Sequence, residues 1–287
     1  MTTTPSPQPA ARDIVMPRCP VCGTDHCAEY VAHPEVQWVR CACGLIYQRA
    51  RSAALAADEL YQESYFTTGV YTRRRWRRIQ KSRHQLLDAL NHVAGGASLD
   101  IGCSMGYVLE AARALGLEPA GTDVSAFSVK VCTELGFEAR QGTMTALPFA
   151  DAAFAVVTMK HVLEHTPDPR AALQEVRRVL QPAGALFIAV PDPRYGRAVR
   201  RPHASRFYGP RRSRQHYIYY TPATLTRLLA EEGFRTVRVN PHIVHRRAAL
   251  PLRALQVLTW PARAAGQWLA DALRLRKEFW LTAVRAD

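Results

Sequence analysis

This sequence predicts an α/β fold, a parallel doubly wound sheet with a small cysteine-rich segment in front of it. Three observations carry that prediction. Between residues 97 and 190, short apolar runs alternate with amphipathic stretches, the rhythm of βαβ units. The first run ends in Asp100-Ile101-Gly102-Cys103-Ser104-Met105-Gly106 and opens a helix, and Asp123 ends the next run 21 positions after Gly102. Five of the seven cysteines crowd into residues 19–43. The chain has 287 residues, 48% of them hydrophobic, which excludes a wholly disordered polypeptide.

Residues 1–16 are rich in Pro and Thr and lack an apolar core, so they read as a disordered tail rather than a signal peptide. No run of 18 apolar residues follows, so no transmembrane span is expected. A cytoplasmic location keeps the thiols reduced, and a clustered reduced set favours a metal site. Residues 17–48 read as a zinc ribbon. Cys19-Pro-Val-Cys22-Gly23 places two thiolates on a tight turn, and Cys41-Ala-Cys43-Gly44 supplies two more. The expected ligands are Cys19, Cys22, Cys41 and Cys43. The second pair is spaced CxC rather than CxxC, so Cys27 and His26 are alternatives to Cys41. Residues 49–92 read as a helical linker or cap, with Leu86, Leu87, Leu90 and Val93 as its core stripe and Gly95-Gly96 as its stop. Its RRRWRR run, residues 73–78, reads as a solvated face.

Residues 93–287 form the main domain. Its expected elements are a strand over ASLDIG, a helix over YVLEAARALG, a strand over EPAGTDVS and a helix over SAFSVKVCTELG. A strand over FEARQG, a strand opening FAVVTMKHVLEH, a helix over PRAALQEVRRVLQPAG and a strand over GALFIAVP follow. After a basic loop at 192–220, Thr221 is the expected N-cap of a helix with Pro222 at its first position. FRTVRVN and EFWLTAVRA read as closing strands.

A glycine-bearing turn at the carboxyl edge of a parallel sheet lets a ligand approach the backbone, and an acidic residue ending the next strand can accept both ribose hydroxyls. The turn lacks the G-x-G-x-x-G spacing that suits a pyrophosphate. It suits a nucleoside carrying a cationic amino-acid group.

At these residues the sequence resembles the class I S-adenosylmethionine-dependent methyltransferases. The likeness runs through LDIGCSMGYVLE, GTDVS, QGTMTALPFADAAFAVV, HVLEHTPDP and LQPAGALFIAVP. It continues in HYIYYTPATLTRLLAEEGF, and CPVCG with CGLIY resembles a bacterial subgroup with an N-terminal zinc-binding module. The resemblance implies a seven-stranded Rossmann-like sheet. It places Asp100, Gly102, Cys103, Ser104 and Gly106 along the methionine part of the cofactor, Asp123 and Val124 at the ribose, and Thr143 and Met144 beside the adenine. Ser104 stands where the turn usually has glycine, Thr143 near a position that is often acidic, and Ala155 where an aspartate is usual.

A base is needed only if the acceptor must lose a proton. His161 is the candidate; His165 reads as a structural residue. His161-Val-Leu-Glu164-His165 also matches H-x-x-E-H, but Pro167 follows too closely for both histidines to share a helix face. Ubiquinone-pathway O-methyltransferases resemble this stretch and carry acidic and histidine metal ligands near it.

The acceptor reading rests on charge. Residues 1–190 carry a net charge of +1 and residues 191–287 a net of +13. Arg194, Arg197, Arg200, Arg201, Arg206, Arg211, Arg212 and Arg214 interleave with Tyr195, Phe207, Tyr208, His216 and Tyr217. This pattern suits a small anionic acceptor such as a sugar nucleotide, glycan or lipid precursor, with RNA as the alternative. Leu250–Leu275, with Trp260 and Trp268, reads as a helix packed on the sheet, with peripheral contact to an anionic membrane as the alternative. A reading of another class is a nucleic-acid- or membrane-binding protein whose methyltransferase domain no longer turns over.

Overall fold

The computed structural model describes residues 13–31, 33–52, 75–194, 210–239 and 278–286, together with Leu55, Phe66 and Tyr208. The first of these form a small antiparallel sheet of β1 (Asp13–Ile14), β2 (Cys27–Val31), β3 (Val36–Cys41) and β4 (Ile46–Arg51), in the order β1-β4-β3-β2. Helix α1 (Arg75–Ala89) then leads into β5 (Ala97–Ile101), α2 (Tyr107–Arg113), β6 (Glu118–Asp123), α3 (Ala126–Glu134) and β7 (Glu138–Gln141). After β8 (Phe154–Lys160) come a 3₁₀ turn (Leu163–His165), α4 (Pro169–Val179) and β9 (Leu180–Pro191). The described chain ends with α5 (Pro210–Gln215), β10 (Ile218–Tyr219), α6 (Pro222–Glu231), β11 (Phe234–Val239) and β12 (Glu278–Arg285).

The expected seven-stranded sheet is present, in the order β11-β12-β9-β8-β5-β6-β7. The central pairs β6–β7, β5–β6, β5–β8 and β8–β9 are parallel, and β12 runs antiparallel to both β9 and β11. The central strands are apolar on both faces because helices cover both sides. Val157 and Met159 of β8 pack with Leu173 and Val176 of α4. Val156, one residue out of phase, packs with Leu86 and Ala89 of α1 and Val108 of α2. Ala155 is buried at the amino end of β8, the edge opposite the glycine turn, so its departure from the usual aspartate does not touch that turn.

Local signals set the helix starts. The Thr221 hydroxyl accepts from the Thr224 N–H at 3.2 Å, and Pro222 opens the helix, as expected. Asp168 accepts from the Ala171 N–H at 3.0 Å ahead of Pro169. Each such cap contributes about 1 kcal/mol.

Four boundaries read from sequence move. The helix expected over PRAALQEVRRVLQPAG stops at Val179, and β9 begins at Leu180, four residues before the expected GALFIAVP strand. The tail expected over 1–16 gives way to β1 at Asp13, which pairs with Arg51. The helix expected from residue 49 gives way to β4, which runs on to Arg51 because β3 lies on one side of it and β1 and β10 on the other. The basic loop contains β10, whose Ile218 and Tyr219 pair with Tyr47 and Ile46. The small sheet therefore includes a strand from beyond the α/β core. The two sheets share one apolar cluster, in which Val39, Cys41, Leu45 and Tyr47 join Leu225, Leu228 and Tyr220. Arg170 of α4 adds a polar strap: Nε donates to Pro20 O at 3.0 Å and Nη2 to Val21 O at 2.9 Å.

The arginine run is not wholly solvated. Arg75 pairs with Glu110 and donates to Met105 O at 3.0 Å, which docks α1 on α2, while Trp76 is 69% exposed. No helix among the described residues is long and apolar enough to cross a membrane. The stretch Leu250–Leu275, Arg197, Arg200, Arg201, Arg206, Tyr195 and Phe207 lie outside the described residues.

Candidate active site and metal centre

The carboxyl edge of the large sheet gathers most of the cofactor-side residues singled out from sequence. Gly102 has φ +76° and Gly106 φ +74°, both in the left-handed region that favours glycine. A Cβ on Gly102 would also lie 2.5 Å from Val162 Cγ2. Gly102→Ala is therefore expected to cost about 1–3 kcal/mol, read as a lowered Tm. An unchanged Tm would contradict this turn geometry.

Ser104 keeps φ +49° despite its side chain, and its N–H donates to Asp123 Oδ2 at 2.9 Å. Asp123 Oδ1 accepts from the Ser125 N–H, also at 2.9 Å. Burial pushes the Asp123 carboxyl up, and these backbone donors oppose the shift. Each carboxylate oxygen retains a further acceptor position. Cys103 is packed beneath the turn, its Sγ 3.7 Å from Cys132 Sγ, so it offers this edge its backbone. Asp100 is buried under the same edge, where Thr158 Oγ1 donates to it. Burial raises the Asp100 carboxyl. Lys160, at the end of β8, is pushed down by burial and held as a cation by Asp100; its Nζ donates to Ser82 of α1 at 2.9 Å. Thr143 and Met144 lie in the loop after β7, where Thr143 bridges to Ala146.

This edge fits S-adenosylmethionine on its own features. Ser104 Oγ is buried without a hydrogen-bond partner, and Asp123 faces the turn with acceptor capacity left.

At the end of β8, His161 leaves the strand with φ +56°, and its N–H donates to Ala189 O at 2.8 Å. A non-glycine residue held there is strained, a condition common at functional sites. Its imidazole, 42% exposed, lies between two carboxylates: Nε2 is 2.8 Å from Glu278 Oε2 and Nδ1 is 3.4 Å from Glu164 Oε1. Burial disfavours the cation, but Glu164 and Glu278 outweigh it and raise His161 to about 9. Burial would raise Glu164 and Glu278; their cationic neighbours reverse this and hold both well below the usual carboxylate range. Glu278, which Lys81 also pairs, had no local signal in the sequence: it opens β12, 117 residues beyond His161.

Glu164 is fully buried, with His165 Nε2 at 4.0 Å and His216 close by. His165 Nδ1 donates to Gln215 O at 2.8 Å, the structural role expected of it. Glu164, His165 and His216 are near enough to share a metal, but the donors oppose it. Arg212 Nη1 is 2.8 Å from His216 Nε2 and can only donate, so Nε2 is engaged as an acceptor, the neutral ring carries its proton on Nδ1, and neither nitrogen has a lone pair free for a metal. Burial keeps His216 neutral.

The expected anion-binding loop is only partly seen. Arg194 is engaged bidentately by Asp192, with contacts of 3.0 and 2.8 Å. Tyr208 packs edge-on against Trp38 at 5.5 Å and so belongs to the core rather than to a ligand surface. Tyr217 lies under the Arg51 guanidinium, 4.5 Å from ring to cation.

The cysteine pairs meet. Cys19 and Cys43 sulfurs are 3.7 Å apart, Cys22 and Cys41 sulfurs 3.4 Å, and all four lie within 4.8 Å of one another. Tetrahedral zinc with Zn–S of about 2.3 Å needs sulfurs about 3.8 Å apart. Gly23 and Gly44, at φ +74° and +94°, turn the two knuckles alike despite their different spacing. Cys27 is outside the group and serves as acceptor for Tyr47 and Arg49, so Cys41 completes the set.

Known proteins agree with this architecture. Residues 71–239 match the model of a family described as methyltransferase domain. The chain is 36% identical over 120 residues to a demethylmenaquinone methyltransferase of Renibacterium salmoninarum, covering 40% of this chain and 47% of that protein. It is 30% identical over 118 residues to a ubiquinone biosynthesis O-methyltransferase of Methylococcus capsulatus, covering 39% and 50%. The chain thus spans about half the length of these relatives. Among solved structures, an S-adenosylmethionine-dependent methyltransferase from Archaeoglobus fulgidus superposes with a TM-score of 0.55 at 18% identity, over 78% of this chain and all of that one. A Haloferax volcanii methyltransferase solved with the Trm112 methyltransferase activator gives 0.54 at 18% identity, over 77% and 98%. These structures share the fold, and with the family model spanning more than half its length, the chain belongs to the methyltransferase-domain family on a class I Rossmann-like sheet.

Proposed function

We propose that this protein transfers a methyl group from S-adenosylmethionine to a small-molecule hydroxyl. The observation that carries the reading is the Asp123 carboxylate facing the glycine turn. Asp123 and Val124 hold the ribose, the backbone of Gly102–Gly106 with Asp100 flanks the methionine, and Thr143 and Met144 flank the adenine. When bound, the cofactor supplies a sulfonium methyl that is already a strong electrophile. The protein's work is alignment and proton management.

His161 takes the acceptor proton. Glu164 and Glu278 hold its ring as a cation up to about pH 9, so about one ring in a hundred is neutral at pH 7. Transfer to a hydroxyl is therefore expected to rise with pH to about 9, and Glu278→Gln to move that inflection down. A rate flat in pH would take the base role from His161. The same raised pKa contributes stability that is complete below pH 6.5 and is lost as pH rises through about 9.

The relatives' names support a quinone-pathway acceptor over the sugar nucleotide, glycan or lipid precursor suggested by charge. The four thiols hold a structural zinc. Methyl-labelled cofactor added to an extract of source cells lacking the gene tests the acceptor. Label in the lipid or small-molecule fraction is expected; label in RNA would overturn the acceptor class.

A further inference from the structure

The four-cysteine sheet reaches into the histidine cluster at the end of β8, and Gln48 is the link. Gln48 lies on β4 and is fully buried. Its Nε2 donates to Ser213 O and to His216 O, each at 2.7 Å, and its backbone N–H donates to Tyr217 O at 2.9 Å. Trp38 of β3 adds a contact, Nε1 to Ser213 Oγ at 3.2 Å. The next two residues of that segment form β10 on β4. Residues 213–219 are thus held on one side by the small sheet.

Their other side meets the large sheet's acceptor edge. The Tyr217 N–H donates to Glu164 O at 2.8 Å, and Gln215 O accepts from His165 Nδ1 at 2.8 Å. The His216 ring stands edge-on to His165 with centroids 4.8 Å apart. A carbonyl only accepts, so this contact fixes a proton on His165 Nδ1 and turns Nε2 toward Glu164, the residue that also flanks His161.

We propose that Gln48 is a positioning residue for the acceptor side, through which the small sheet sets the His165 tautomer and the placement of His216. This rests on the reading of the β8 edge as the acceptor side. The side chain suits that role, because a carboxamide brings two N–H donors to two carbonyl oxygens. Neither methionine, with no donor, nor glutamate, with at most one when protonated in this buried site, can do so. The cofactor turn after β5 shares none of these hydrogen bonds, so the effect of losing them is selective.

The test uses the full chain, labelled with ¹⁵N-histidine, as wild type, Gln48→Met and Gln48→Glu. Ring nitrogen spectra report the tautomers, and calorimetry reports binding of S-adenosylmethionine. Both variants are expected to lose the Nδ1–H signature of His165 while the Kd changes by about twofold or less, and to lose about tenfold in labelled-methyl transfer to extract. An unchanged His165 signature in both variants overturns the proposal. Loss of cofactor binding along with the signature also overturns it, because Gln48 would then support the whole fold. A wild type that binds no cofactor, with a His165 signature that still follows Gln48, instead removes the methyltransferase reading.

Discussion

Asp123→Ala is expected to weaken S-adenosylmethionine binding by about a hundredfold or more. The two ribose hydroxyl contacts proposed for the carboxylate would be lost, at roughly 1.5–3 kcal/mol each. The same change strips acceptors from the Ser104 and Ser125 N–H groups, which the carboxylate now ties together across the turn. Asp123→Asn keeps one acceptor oxygen and the shape, so it should fall between alanine and wild type. Calorimetric titration measures both. Wild-type affinity in Asp123→Ala would place the cofactor elsewhere on the sheet.

The second large effect concerns the thiols. Elemental analysis should find about one zinc per chain, and Cys19→Ser should lose it. Structural zinc binding in small modules is worth about 10–16 kcal/mol and is inseparable from their folding. The small sheet has further anchors here, in Arg170 and in the cluster shared with α6. The expected result is therefore a Tm lowered by roughly 10 °C or more rather than a wholly unfolded chain. A metal-free wild type that melts no lower than zinc-loaded protein would remove the metal from the account.

Much of the fold was legible because it depends on short-range patterns. The apolar runs of β8 and β9, the turn 100–106, and the Thr221-Pro222 start are each readable within a dozen residues, and each is found, with β9 starting four residues early at Leu180. What was illegible depends on partners far along the chain. Ile218-Tyr219 is too short to announce a strand, and nothing beside it names β4 as its neighbour. Glu278 reads as one surface acid at a strand start until the fold brings it to His161. Lys160 interrupts no pattern, yet it carries its amine inward to Ser82 and Asp100. The CxC spacing was ambiguous for another reason. Knuckle geometry depends on the glycine after each second cysteine rather than on residue count, and Gly23 and Gly44 serve the two knuckles equally.

The pairing of Ile218 with Tyr47 also sets a schedule for the growing chain. These two residues are 171 positions apart. At about 5–20 residues per second, a ribosome takes roughly 10–35 s to make the second after the first. During that interval β4 has an open edge and Gln48 has no carbonyl to bind, and an unpaired strand edge invites intermolecular pairing. The proposed zinc would need only residues 19–43, so its capture would hold the nascent sheet closed before its last strand exists.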